Sequence, residues 1–276
     1  MTDLSPLLAR PGANGLDWEL PGLPGRRIIL RSARPRHCTP ATPILFVHHG
    51  VMRNGDDYRN HWLPLVDEAD LLVIAPEFPN EGFPAAATYN FGNIAGGTPR
   101  SAWSFATDST VFDLLRAQGL TTRERYGMWG HSAGGQFVHR ALSLGLRARV
   151  AAAVTANAGT YSWPDLATPY PYGLGETGLT EPDLKAFLEF RLTIMAGTAD
   201  IDATSEHFPK DPPAMAQGPT RHARAHNYLA AARAKAEALG THCAWTIIDV
   251  PGVDHDGQRM SVAAAPVLSA ALHASK

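Results

Sequence analysis

The chain reads as an α/β protein with a mainly parallel central sheet and helices on both faces, and three observations lead there. Short apolar runs recur along it, they alternate with longer helix-like stretches, and one run ends in a glycine-flanked serine. Continuous rather than alternating apolarity marks a strand covered on both faces. Such strands in alternation with helices lie side by side in a parallel sheet.

Taken in order, strands are expected at 27–31, 43–48, 71–75, 125–129, 150–155, 192–196 and 245–250, all rich in Ile, Leu, Val, Ala, Met, Phe or Trp. Helices are expected at 57–69, 104–117, 135–144, 220–239 and 258–271. Residues 1–25, rich in proline and glycine, read as an extended arm over the domain surface. Two stretches break the rhythm, 77–99 and 161–182, both long for loops of a compact domain and both aromatic. Residues 161–185 are expected to form a small, loop-rich, lid-like insertion, and residues 1–276 a single domain.

Composition narrows the function. The 276 residues are 45% apolar, enough for one sizeable core, and a net charge of −2 offers no basic face for nucleic acid or an anionic membrane. The first 15 residues lack a basic patch followed by a long apolar segment, and no run approaches the ~18 apolar residues of a membrane span, so a cytoplasmic protein is expected. Cys38 and Cys243 stand alone, outside any metal-ligand spacing, and are expected to be free thiols. High Ala, Arg and Pro content points to a GC-rich bacterial source, and the oligomeric state stays open, a homodimer included.

The chemistry begins at Gly130-His131-Ser132-Ala133-Gly134, between the apolar run 126–129 and the helical stretch that follows. A serine on a sharp strand-to-helix turn needs glycine two residues to either side, because the two backbones pass too close for a β-carbon. Its hydroxyl becomes a nucleophile once a histidine takes its proton and a carboxylate fixes that histidine. In this architecture the acid and the base follow the serine in that order, each on a loop after a strand. Asp200, at the end of 192–200, is the expected acid, with Asp202 its neighbour and competitor. His255, after the strand 245–250 and a Pro-Gly turn, is the expected base.

The other histidines among the 12, including His139, His207, His222, His226 and His242, read as solvated or packing residues, and His131 as a packing residue beside the serine. An oxyanion needs backbone N–H donors. Ala133 supplies one, and Val51 the second, where the strand 43–48 breaks at Gly50. Phe78, Tyr89, Phe91, Trp103, Tyr161 and Trp163 are the candidate substrate walls.

Through His49-Gly50, Ser132, Asp200 and His255 the chain resembles the α/β-hydrolase superfamily over residues 27–271. The segments His48-His49-Gly50-Val51-Met52-Arg53-Asn54-Gly55-Asp56-Asp57-Tyr58 and Gly130-His131-Ser132-Ala133-Gly134-Gly135-Gln136-Phe137 resemble, more narrowly, the poly(3-hydroxybutyrate) depolymerase-like esterase branch. The resemblance implies the α/β-hydrolase fold and ester hydrolysis without metal or organic cofactor, and a small or medium carboxylic ester is the expected substrate. It also implies an acyl-enzyme on Ser132, released by water that His255 activates. Secreted members of the branch carry a signal sequence and often disulfides or a binding module. None is read here, so extracellular polymer is not the expected substrate. A peptidase or amidase with the same triad, and a non-catalytic binding protein on the same fold, are the alternatives.

Overall fold

The computed structural model of the chain describes residues 2–275. Its strands are β1 (Gly12–Glu19), β2 (Arg27–Arg34), β3 (Ile44–His48), β4 (Leu72–Glu77), β5 (Tyr126–His131), β6 (Val150–Ala156), β7 (Leu192–Gly197) and β8 (Thr246–Val250). They form one sheet in the order β1-β2-β4-β3-β5-β6-β7-β8. β2 runs antiparallel to β1 and β4, and every other neighbouring pair is parallel. All seven strands read from the sequence are present.

Helices cover both faces: α1 (Gly55–Trp62), α2 (Val66–Ala69), α3 (Ala85–Thr88), α4 (Thr107–Ala117), α5 (Ala133–Ser143), α6 (Glu181–Leu188), α7 (Pro212–Ala216), α8 (Arg221–Ala238) and α9 (Gly257–Ala274). The unbroken apolarity of the central strands follows from this layering, since successive side chains point to opposite faces. In β3, Ile44 and Phe46 enter one core cluster, while Leu45 and Val47 enter the other. Met128 and Trp129 of β5 divide in the same way.

Two expectations need correction. Residues 1–25 are not an arm lying over the surface: β1 pairs with β2 along its whole length, from Gly12 opposite Arg34 to Glu19 opposite Arg27. Leu4, Leu7, Trp18 and Leu20 are buried in the main core. Glycine and asparagine at an edge strand conceal its period, so composition alone suggested a coil. The helix expected over 57–69 is two helices, α1 and α2, broken at Pro64, which has no N–H to continue the ladder. Within 161–185, Tyr161, Ser162 and Leu174 are buried, and the final residues belong to α6, opened by a capping box between Thr180 and Asp183. Both cysteines are free, and among the described residues no helix is long and apolar enough to cross a membrane.

Candidate active site

β5 runs buried into Ser132, whose φ of 59° and ψ of −119° bend the chain directly into α5. A left-handed φ on a serine is strained, and the surroundings hold it: its N–H donates to the Ala156 carbonyl at 3.0 Å, and its carbonyl accepts from Gln136 N at 3.1 Å. The flanking glycines are required by close approach. A β-carbon on Gly130 would strike the Gly134 carbonyl, and one on Gly134 the carbonyl of His48 in β3. The turn therefore presses against the neighbouring strand and points the Ser132 hydroxyl out at the carboxyl edge of the sheet.

The sheet topology brings the two partners to that edge. His255 Nε2 lies 3.0 Å from Ser132 Oγ, and His255 Nδ1 lies 2.7 Å from Asp200 Oδ2. Asp200 follows β7 and is buried; its second oxygen accepts from Arg221 Nη1 at 3.3 Å. Asp202 turns away, accepting at 2.7 Å from the N–H and at 2.6 Å from the hydroxyl of Thr204 in its own exposed turn. Between the competing aspartates, Asp200 alone meets the histidine. His255 is held at the start of α9, where Asp256 caps the helix by accepting from Gln258 N and Arg259 N at 2.8 and 3.0 Å.

A residue that sequence reasoning missed ties these loops together. Asn157, in the left-handed region at φ 45°, accepts from Gly197 N at 2.8 Å and donates to the Asp254 carbonyl at 3.0 Å. It thereby links the end of β7, ahead of Asp200, to the residue before His255. A polar residue directly after the apolar run of β6 was the available signal. Arg221, at the first turn of α8, was likewise missed because it lies 21 residues from its partner Asp200.

Val51, Ser132 and Ala133 line one cleft of about 390 Å³. The N–H groups of Val51 and Ala133 donate to no other group among the described residues. The turn carrying Val51 is fixed by His49, whose Nδ1–H donates to Gly50 O at 2.9 Å while its Nε2 accepts from Phe78 N at 3.1 Å. Because an amide can only donate, that imidazole must be neutral. Burial agrees, pulling its pKa down to about 3 against the Gly50 hydrogen bond. His131 packs beside His255 with ring centroids 4.5 Å apart, and its Nδ1 meets the Tyr58 hydroxyl at 2.9 Å. Burial first, and then the neighbouring His255, hold it well below the usual histidine range.

The walls differ from expectation. Of the six aromatic candidates only Phe91 lines the cleft. Phe78, Tyr89 and Tyr161 are fully buried: Tyr89 stacks on His49 at 4.5 Å and donates its hydroxyl to His49 O, and Tyr161 stacks on Tyr228 at 4.4 Å. Trp103 packs against Arg100 and donates to Thr98 O at 2.9 Å, while Trp163 stands in the loop beside Tyr172. Large rings gain more by filling the core than by lining a wet cleft.

The lining instead mixes apolar surface from Val51, Ala85, Ala86, Phe91 and Pro209 with the polar side chains of Asn80, Asn90, Gln136, Thr160, Tyr172, His207 and Asp211. Under this wall lies buried Arg140, bonded to Gln136 Oε1 at 2.8 Å, Asn90 O at 3.1 Å, Ser162 Oγ at 3.1 Å and Thr160 Oγ1 at 3.2 Å. Arg53 and Arg224 flank the cleft in the same manner, donating to carbonyls of Phe83 and Ala85, and of Gly159 and Pro209. None of the three guanidiniums has a carboxylate partner among the described residues.

No protein-family model matches this chain, and no curated protein is significantly similar to it. Solved structures do match. One is poly(aspartic acid) hydrolase-1 from Sphingomonas sp. KT-1, at 40% identity and a TM-score of 0.89 over 94% of this chain and 99% of that one. Another is LpqC, a poly(3-hydroxybutyrate) depolymerase from Bordetella parapertussis, at 38% identity and a TM-score of 0.89 over 96% of this chain and 94% of that one. An S-formylglutathione hydrolase from Agrobacterium tumefaciens, at 15% identity and a TM-score of 0.64 over 94% and 95% of the two chains, shares the fold. The non-catalytic alternative falls with these neighbours. The chain belongs to the α/β-hydrolase superfamily, in its poly(3-hydroxybutyrate) depolymerase-like esterase branch, and is a hydrolytic enzyme.

Proposed function

We propose that the protein is a serine esterase that cleaves a carboxylic ester through an acyl-enzyme on Ser132. The observation that carries this reading is the unbroken chain from Ser132 Oγ to His255 Nε2 at 3.0 Å and from His255 Nδ1 to Asp200 Oδ2 at 2.7 Å. His255 takes the hydroxyl proton as Ser132 Oγ attacks the ester carbonyl, and the Asp200 carboxylate stabilises the imidazolium. The N–H groups of Val51 and Ala133 receive the oxyanion, each donor worth roughly 10²–10³ in turnover. His255 then protonates the departing alcohol, leaving the acyl group on Ser132. A water that gives its proton to His255 attacks this acyl-enzyme, and collapse returns the proton to Ser132 Oγ and frees the acid.

Arg221 supports this assignment from behind, because it pairs with the Asp200 oxygen that does not face His255. The polar side chains of the wall, backed by three guanidiniums without carboxylate partners, suit a small ester that carries a strongly hydrogen-bonding group. In this reading the enzyme works in the cytoplasm, and the reaction draws on no metal or organic cofactor. A second reading, amide cleavage by the same groups, draws support from the likeness to a poly(aspartic acid) hydrolase at 40% identity. Matched nitrophenyl ester and nitroanilide substrates with the same acyl group test the choice. Ester turnover far exceeding anilide turnover is expected, and comparable rates would transfer the assignment to an amidase.

A further inference from the structure

Away from the cleft, on the outer edge of the sheet, two histidines and an aspartate converge without any part in the chemistry above. His222 and His226 stand four residues apart on α8, a spacing that puts two side chains on one helix face. Asp249 lies on the edge strand β8. It shares a strand face with Ile247, which packs on the core cluster that also holds Ala225 and Leu229 of α8. Both imidazoles direct Nε2 at one oxygen of Asp249, His222 at 3.0 Å and His226 at 2.9 Å. The other Asp249 oxygen accepts no hydrogen bond among the described residues. The two rings lie 4.7 Å apart, and all three ligand atoms fall within 4.8 Å of one another.

We infer that His222, His226 and Asp249 form a divalent-cation site of the zinc type, which clamps α8 to β8. Nitrogen and oxygen ligands at ~2.0–2.2 Å from a tetrahedral zinc stand about 3.3 Å from one another. The two nitrogen–oxygen separations are therefore within a few tenths of an ångström of a coordination shell, and the part-exposed side chains have room for that adjustment. Two imidazoles with a single carboxylate select zinc and its transition-metal neighbours over calcium or magnesium, which prefer all-oxygen shells. The solvent side leaves the fourth position to water.

The clamp reaches the catalytic groups from two directions. Arg221, the residue before His222, pairs with Asp200, and the His222 N–H donates to the Asp200 carbonyl at 3.3 Å. Asp249 lies at the end of β8, from which the chain turns through 251–254 to His255. The ion would fasten the helix behind the acid to the strand that leads to the base.

The test uses untagged, metal-stripped protein titrated with zinc chloride against a chromophoric chelator, with unfolding temperatures measured alongside. One zinc per chain is expected, together with a rise in unfolding temperature on zinc addition. In His226→Ala and in Asp249→Asn the affinity should drop by roughly tenfold or more, and the zinc-dependent rise in unfolding temperature should vanish. His242→Ala, at an exposed histidine outside the cluster, should bind like the wild type. Wild-type protein that binds no zinc at one to one, or variants that bind as tightly as wild type, would overturn the assignment.

Discussion

The reacting end of the cleft and its substrate-facing wall adjoin each other, yet they are built in opposite ways. Ser132, Asp200 and His255 stand at the ends of β5 and β7 and after β8, and hydrogen bonds to main-chain groups tie together the segments that carry them. Ser132 N holds Ala156, Ala199 N holds Val253 at 2.9 Å, and Asn157 joins Gly197 to Asp254. The wall is drawn from loops around residues 80–91, 159–172 and 207–211 and from α5, and side chains tie it together: Asn90 bonds to Gln136 and Tyr172 to Asp211, while Arg53, Arg140 and Arg224 hold loop carbonyls. Proton transfer needs atoms fixed to a fraction of an ångström, which strand ends tied across a sheet provide. Substrate selection needs adaptable polar contacts, which loops provide.

The largest expected effect separates the two aspartates. Asp200→Asn should lower kcat by about 10⁴-fold, because an amide cannot hold the histidine in the productive tautomer, whereas Asp202→Asn should leave steady-state kinetics close to wild type. Next come the aromatic residues. Phe78→Ala should cost about 3–5 kcal/mol in urea unfolding as a core truncation. Phe91→Ala should cost much less stability and raise KM instead, since its ring faces the cleft. If Phe78→Ala changed only KM, it would belong to the wall after all.

Asn157→Ala should cost about 1–3 kcal/mol, because it strips a partner from the buried Gly197 N–H, and kcat should fall with little change in KM as His255 loses its tether. A further effect is a pH slope. His49 stays neutral in the folded enzyme down to about pH 3, while in the unfolded chain it takes up a proton near 6.5. The unfolded state binds more protons in that window, so stability falls as pH drops through it, by about 1.4 kcal/mol per pH unit from this residue. Unfolding midpoints that stay level across the window would contradict a buried neutral His49.

The same division decides what could be read from the sequence. Ser132, Asp200 and His255 were legible because each follows an apolar run, and because Gly130 and Gly134 answer a steric demand that no other residue meets. The walls were not legible. An aromatic side chain in a long loop carries no mark of whether it turns inward, and Phe78, Tyr89 and Tyr161 all did. Gln136 was concealed for a different reason: it reads as one more residue of α5, although one turn of helix brings it to the cleft beside Ser132. β1 went unread because its edge position admits glycine and asparagine, and its inward residues Leu16 and Trp18 are too few to show a period. Asn157, His222, His226 and Asp249 gain meaning only from partners distant in sequence.

Intact-mass labelling with a fluorophosphonate, on wild type and on Ser132→Ala, tests the serine directly and needs no knowledge of the substrate. An activated Ser132 predicts one adduct per wild-type chain and none on the variant. A folded wild type that takes no label, or a variant that labels equally well, would contradict the triad.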